Sequence, residues 1–249
     1  MMISDSHALF EAAGCAMTLN NTGVITDSKD FVSTAFCNQS VSAFPLLEIG
    51  AGFGSNSISA LKNGHAVICN DLSKEHLEIA SRNVPAEMLQ RITFLDGSFP
   101  DEIDLTENSI ASILCCRVLH FFNGQSIDKM LNAMSRLLIP GGRIYATVET
   151  PFIGNWKSFR PEYEARLAAG HPYPGLIENH RMHDSIAFSN QIPDVLHLFD
   201  LDSFKKLFTD HGFMVEQAAY INRQGVFPAE CLSDDGRDSV GVIAVKPTN

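Results

Sequence analysis

The chain has 249 residues, carries a formal net charge of −11, and is 45% hydrophobic and 19% charged, enough apolar material for a sizeable core. The acidic balance, without any Lys/Arg run, argues against a nucleic-acid backbone as the main partner, because phosphate binding needs a basic surface. No stretch reaches the roughly 18 consecutive apolar residues of a membrane span, and MMISDSHALFEAAG lacks the basic start of a secretory signal, so a cytoplasmic protein with neither a membrane nor a nucleic-acid partner is expected. Six cysteines at 15, 37, 69, 115, 116 and 231 show no C-x-x-C spacing, which predicts reduced, buried thiols and no metal site.

In chain order, Ser6 to Thr18 has Leu9, Phe10, Ala13 and Met17 at roughly helical spacing, predicting a helix. Asn20 to Gly23 reads as a turn, Asp30 to Phe36 as a second short helix, and Phe44-Pro45 as the lead into a strand. That strand, Leu46-Leu47-Glu48-Ile49, is followed by Gly50-Ala51-Gly52-Phe53-Gly54-Ser55. Glycines here permit φ > 0 and close approach of backbone to a ligand, and the helix that follows offers free N–H groups at its start. The glycines fall at 50, 52 and 54, a spacing unlike the G-x-G-x-x-G of dinucleotide sites.

The run E-x-G-x-G-x-G resembles motif I of the class I S-adenosylmethionine (SAM)-dependent methyltransferases. In that family an acidic residue ends the first strand and the glycine turn cradles the methionine portion of SAM. The resemblance therefore implies cofactor contacts from Glu48, Gly50, Ala51, Gly52 and Gly54.

A helix is expected over Asn56 to Lys62 and a second strand over Ala66 to Cys69, running into Asn70-Asp71-Leu72-Ser73. Asp71 stands 23 residues after Glu48, where Rossmann-type sites place an acidic acceptor for ribose hydroxyls. Ser73 suffices to cap the helix Lys74 to Asn83, which leaves Asp71 for the ribose. The third strand, Ile92 to Leu95, ends at Asp96-Gly97-Ser98. The resemblance implies that Asp96 meets the adenine amine, that the amides of Gly97 and Ser98 meet ring nitrogens, and that Leu72 or Phe99 sandwiches the ring; the alternative for Asp96 is a plain turn residue.

The fourth strand, Ile110 to Cys116, continues into Arg117-Val118-Leu119-His120-Phe121-Phe122, which looks like motif IV of small-molecule methyltransferases. Ligands in open α/β sheets sit beyond the carboxyl ends of strands near the switch point. Cys116 and Arg117 are thus expected to border the methionine end of SAM, mainly through backbone. His120 is the candidate catalytic residue near the transferable methyl, the alternative being a packing histidine on a short helix.

Ser126 to Leu138 is an amphipathic helix, stopped by Pro140-Gly141-Gly142 before a fifth strand, Arg143 to Val148. Residues 150–199 exceed a minimal connection and carry Trp156, Phe159, Tyr163, Tyr173 and histidines at 171, 180, 183 and 197, a composition suited to a binding lid. A helix is expected over Phe159 to Ala169. His180-Arg181-Met182-His183 has no evident carboxylate or cysteine partner for a metal. Leu201-Asp202-Ser203 caps a helix from Phe204 to His211, and strands six (Phe213 to Ile221) and seven (Val240 to Val245) follow.

The expected architecture is one α/β domain over 1–249, with a seven-stranded, mostly parallel, doubly wound sheet. Its parts are an N-terminal cap (1–43), a SAM-binding core (44–149), a lid insertion (150–199), and a C-terminal helix with antiparallel strands (200–249). The expected reaction is in-line transfer of the SAM methyl to a small organic acceptor, leaving S-adenosylhomocysteine, with no metal. His120 would serve as general base if the acceptor needs one. The rivals are an NAD-dependent oxidoreductase, disfavoured by the glycine spacing and by Leu167 standing four residues after Tyr163 where Tyr-x-x-x-Lys needs a lysine, and a non-catalytic protein that keeps the SAM fold. No residue pattern specifies the oligomeric state or whether O, N, S or C is methylated.

Overall fold

The computed structural model describes residues 10–20, 22–26, 28–183 and 192–248. Seven strands, β1 (Leu46–Ile49), β2 (Val67–Asp71), β3 (Ile92–Asp96), β4 (Ile110–Cys116), β5 (Leu138–Glu149), β6 (Met214–Ile221) and β7 (Ser239–Val245), form one sheet in the order β6-β7-β5-β4-β1-β2-β3. The pairs among β1 to β5 are parallel, and β7 lies antiparallel between β5 and β6. Six helices accompany it: α1 (Phe31–Asn38), α2 (Ser55–Lys62), α3 (Lys74–Asn83), α4 (Gly124–Leu137), α5 (Arg160–Ala168) and α6 (Leu201–Asp210). This is the mostly parallel, Rossmann-like sheet expected from the sequence.

The strands are buried on both faces, and their period of two distributes the side chains between two cores. Leu47, Ile113 and Ile144 pack with Ile127, Met130 and Leu131 of α4 and Phe204 and Phe208 of α6. Their neighbours Leu46, Leu114 and Tyr145 pack with Val32 and Phe36 of α1 and Leu61 of α2 on the other side. Leu46, Leu47, Ile113 and Leu114 have no exposed surface, and full burial of such a side chain stabilises by about 1.5–3 kcal/mol. The central strands are thereby held rigidly, and their carboxyl ends are fixed relative to one another.

Three expectations change. The helical turn at residues 10–12 ends before Gly14, whose φ of +78° favours glycine, and Ala16–Met17 then pairs antiparallel with Val24–Ile25. A hairpin therefore stands where a helix to Thr18 was expected; its Ser6 to Leu9 portion lies outside the described residues. Second, Pro140-Gly141-Gly142 does not precede β5 but lies inside it, at a register shift opposite Ile110 and Ser112. The Gly141 N–H donates to the Lys246 carbonyl and Lys246 N–H donates to that of Gly142, so the bulge remains bonded to the chain leaving β7. Third, α6 begins at Leu201 because Asp200 is its N-cap, in a reciprocal capping box with Ser203.

The stretch after β5 builds a second apolar cluster. Phe152, Trp156, Phe159, Tyr163 and Ile177 pack there with Phe10 from the N-terminal segment and Phe227 and Cys231 from the connection between β6 and β7. All six cysteines are free, and five are buried.

Candidate active site

The glycine turn after β1 opens onto a cavity of about 600 Å³ at the carboxyl ends of β1, β2 and β4, where an open α/β sheet binds its ligand. Gly50, Gly52 and Gly54 have φ of +68°, +54° and +78°. A Cβ on Gly50 would stand 2.5 Å from Val118 Cγ2, and one on Gly54 2.9 Å from Ala80 Cβ. Gly50 thus lets the exit of β4 close against the turn, and Gly54 seats the turn on α3. Gly50, Ala51 and Gly52 line the cavity; Gly54 lies behind them.

Glu48 is 2% exposed and organises this turn from beneath. Its carboxylate accepts hydrogen bonds from Asn56 Nδ2 at 3.0 Å, Ser57 N at 2.9 Å and Ser57 Oγ at 2.5 Å. It touches the cavity wall, yet its hydrogen bonds hold the first turn of α2, where an anion also suits the helix dipole. Burial pushes its pKa up, against the opposing pull of those hydrogen bonds.

Asp71, at the end of β2, is 6% exposed and lines the same cavity. It is not left free, as the cap argument had it. Oδ2 accepts from Gly52 N at 2.7 Å, while Oδ1 accepts from Ser73 N at 2.9 Å and lies 3.1 Å from His76 Nδ1. Ser73 does cap α3. An ionised carboxylate offers about four acceptor positions, so Oδ2 keeps one for a ligand. His76 Nε2 accepts the Leu19 N–H at 3.1 Å, so the proton of the neutral ring sits on Nδ1 and points to Asp71. A chain of hydrogen bonds therefore runs from the N-terminal hairpin through His76 and Asp71 to the glycine turn.

At the end of β3 the expected contacts separate. Ser98 lines the cavity; Asp96 is exposed, and neither it nor Gly97 forms part of the wall. The cause is local: Asn70 Nδ2 donates to the carbonyls of Leu95 and Gly97, and Gly97 N–H donates to Asp71 O. These bonds draw the turn's backbone inward and leave the Asp96 side chain outside. Leu72, 70% exposed, stands at the rim and Phe99 is buried in the core, so of the two sandwich candidates only Leu72 borders the cavity.

Cys116 and Arg117 border the cavity, as expected. Arg117 has φ of +60°, a left-handed conformation rare for a side-chain-bearing residue and concentrated at functional sites. Its guanidinium is 2.7 Å from Glu149 Oε1 and 4.7 Å from the Phe227 ring centroid. Glu149 Oε2 accepts from Trp156 Nε1 at 3.0 Å. Burial alone would raise the Glu149 pKa, but Arg117, His120, Trp156 and Arg223 hold it below the usual range.

This ion pair stands in the wall of a second, smaller pocket of about 20 Å³, whose other sides come from Phe10, Ile153, Trp156, Leu196 and Phe227. His120 lines this pocket rather than the large cavity, and is 1% exposed. Its Nδ1 accepts the Glu149 N–H at 3.4 Å, which leaves the proton of the neutral ring on Nε2. Burial pushes its pKa down to about 4, with Glu149 opposing and Arg117 reinforcing. A ring so engaged does not fit the general base that its sequence position suggested.

Sequence reasoning missed several wall residues. Asp30 and Arg223 line the large cavity and form an ion pair at 3.0 Å with both side chains 5% exposed. Only the cap pattern Asp30-x-x-Ser33 was visible locally; Arg223 comes from 193 residues away. Val24 and Ile25 cover the glycine turn, where Ile25 Cδ1 would be 3.4 Å from a Cβ on Gly52.

The glycine cradle, the strand-end carboxylate and the cavity fit an adenosyl cofactor with an amino-acid tail. Residues 46–142 match the family described as "Methyltransferase domain". No curated protein matches the sequence. Among solved structures, a SAM-dependent methyltransferase from Mesorhizobium loti is similar at 16% identity and a TM-score of 0.60, covering 85% of this chain and 94% of that one. A SAM-dependent methyltransferase from Methanosarcina mazei is 18% identical, with a TM-score of 0.58 over 83% and 93% of the two chains. The 1,6-didemethyltoxoflavin-N1-methyltransferase of Burkholderia thailandensis, with bound 1,6-didemethyltoxoflavin and S-adenosylhomocysteine, is 17% identical, with a TM-score of 0.57 over 98% and 80%. These likenesses show a shared fold, and together with the family match over 46–142 they identify a class I SAM-dependent methyltransferase domain, an enzyme with S-adenosylmethionine as its cofactor.

Proposed function

We propose that this protein methylates a small organic acceptor whose reacting end sits in the pocket beside His120, with Ile153, Trp156 and Leu196 from the stretch after β5 forming its cover. The observation that carries this reading is the junction of the two spaces: Thr22, Arg117, Phe121 and Phe227 line both. Ligands in the cavity and in the pocket therefore meet at the carboxyl end of β4. The pocket has room for little more than one water-sized group, so it suits the end of a small molecule whose remainder lies in the large cavity, and not a polymer backbone.

In this reading Gly50, Ala51 and Gly52 cradle the amino-acid tail of the cofactor, with the backbone of Cys116 and Arg117 beside it and the Asp30–Arg223 pair opposite. Asp71 accepts from the ribose, and Leu72 and Ser98 flank the adenine. Glu48 and Gly54 act behind the wall, holding α2 and α3. Asp96 and Gly97 contribute through the shape of their turn. When bound, the cofactor supplies a methyl group already activated on a sulfonium. The protein's task is then to position the acceptor and exclude water, and orientation of this kind supplies up to about 7–11 kcal/mol of a barrier. No helix among the described residues is long and apolar enough to cross a membrane, and a cytoplasmic enzyme acting on a dissolved acceptor, without nucleic acid, completes the proposal. The Burkholderia thailandensis protein, with its small-molecule ligand bound, supports the acceptor class by analogy of fold.

Calorimetry with S-adenosylhomocysteine and NAD side by side tests the cofactor. Micromolar binding of the first is expected; saturable NAD binding without it would overturn the reading.

A further inference from the structure

The pocket beside His120 holds a buried cation with an unused donor. Arg117 Nη2 is bonded to Glu149 Oε1, but Arg117 Nη1 is buried without a hydrogen-bond partner among the described residues. A buried donor on a charged group is costly when left unmade, and this one belongs to a side chain that lines the meeting point of cavity and pocket. Glu149 does not reach it: Oε1 is bonded to Nη2, and Oε2 accepts from Trp156 Nε1. Phe227 lies against the guanidinium and Thr147 O accepts the Arg117 backbone N–H, so the residue is held from both ends.

Another polar group in the wall, His120, has Nδ1 occupied by the Glu149 amide. It therefore presents a donor, not a base. Arg117 Nη1 and His120 Nε2 are thus donors in this wall, and an acceptor group that enters ionised meets them with its own lone pair.

We propose that the acceptor carries a carboxylate and that Arg117, through Nη1, is the residue that selects it. The tail of the cofactor has a cation of its own in Arg223, which lines the large cavity but not the small pocket. Arg117 is thereby assigned to the acceptor side of the junction. The inference rests on the cofactor reading above.

Calorimetry on the full chain separates the two. S-adenosylhomocysteine is titrated first; absence of binding would remove the cofactor reading itself. The S-adenosylhomocysteine-loaded protein is then titrated with acetate, benzoate and 3-phenylpropanoate, each against its matched amide and alcohol. At least one acid is expected to bind tenfold or more tightly than its own amide and alcohol. Arg117→Gln is expected to abolish that preference, read as the ratio of acid to amide affinity on protein saturated with S-adenosylhomocysteine. Arg117→Lys keeps a cation beside Glu149 and is expected to retain part of the preference, which guards against a Gln variant that fails to fold. Equal binding of acid, amide and alcohol, or no binding of any acid by the loaded protein, would overturn the proposal. So would an Arg117→Gln protein that loses S-adenosylhomocysteine, since the cation would then belong to the cofactor.

Discussion

The two adjoining spaces of this enzyme are built in opposite ways. The cofactor cavity takes its floor from strand ends and a glycine turn within residues 46–118, where backbone groups and Asp71 are fixed, and its cover from the N-terminal hairpin, Asp30 and Arg223. The smaller pocket, the proposed acceptor site, is made from side chains that arrive from Phe10, the exit of β4, the end of β5, the stretch after β5, and Phe227. A backbone-built site follows from local sequence and accommodates a constant ligand. A pocket built from distant side chains can change its occupant without disturbing the sheet. In the proposed reading, the difference places cofactor binding on the backbone-built side and acceptor choice on the other.

The comparison can be broken first at the buried charges of the pocket. Glu149→Ala leaves the Arg117 guanidinium, 18% exposed, without its counter-ion, and removal of one partner from a buried pair costs about 3–5 kcal/mol. Urea unfolding at pH 7.5 measures this; a loss below about 1 kcal/mol would show a solvent-screened pair and an open pocket.

Acid should damage the acceptor side next. Burial pushes His120 and His197 from 6.5 down to about 4. Because the folded value lies below the unfolded one, the unfolded chain takes up protons first as pH falls. Their contribution is full above about pH 6.5 and is lost as pH falls toward 4, about 3 kcal/mol for each. Glu48, shifted up by burial, works in the opposite sense. Unfolding at pH 7.5, 6 and 5 should show declining stability, and His197→Phe should flatten the decline.

On the cofactor side, Asp71→Ala removes a charged acceptor worth about 1.5–3 kcal/mol, a loss of roughly ten- to a hundred-fold in S-adenosylhomocysteine affinity. Normal affinity, read by calorimetry, would make Asp71 only the bracket of the turn. His76→Phe should be milder, about 0.5–1.5 kcal/mol for one hydrogen bond, and its signature is faster amide exchange at Leu19. Asp96→Ala should matter least: an exposed substitution stays within about 0.5 kcal/mol, so calorimetry should find S-adenosylhomocysteine affinity changed by no more than about two- to threefold. A tenfold loss would mean that the turn rotates inward on binding.

What the amino-acid order determined by itself was the frame: β1, α3 and β4, the left-handed glycine turn, and the acidic residue ending β2. Each is written in neighbouring residues, through apolar runs, the cap at Ser73, and glycines where a Cβ would collide. The sheet's mostly parallel winding followed from the alternation of those strands and helices. The tertiary structure decided what the side chains do once there. Asp71 reads as a free acceptor in sequence, yet Gly52, Ser73 and His76 share it; Asp96 reads as a contact, yet Asn70 pulls its turn inward and leaves it outside. His120 reads as a base until the Glu149 amide takes Nδ1 and burial lowers its pKa. The pairings Arg117–Glu149, Arg223–Asp30 and His76–Leu19 join residues 32, 193 and 57 positions apart. Local periodicity carries no information about such pairs, because which polar groups meet, and which are left without water, is set only when the packed sheet and its covering segments close around them.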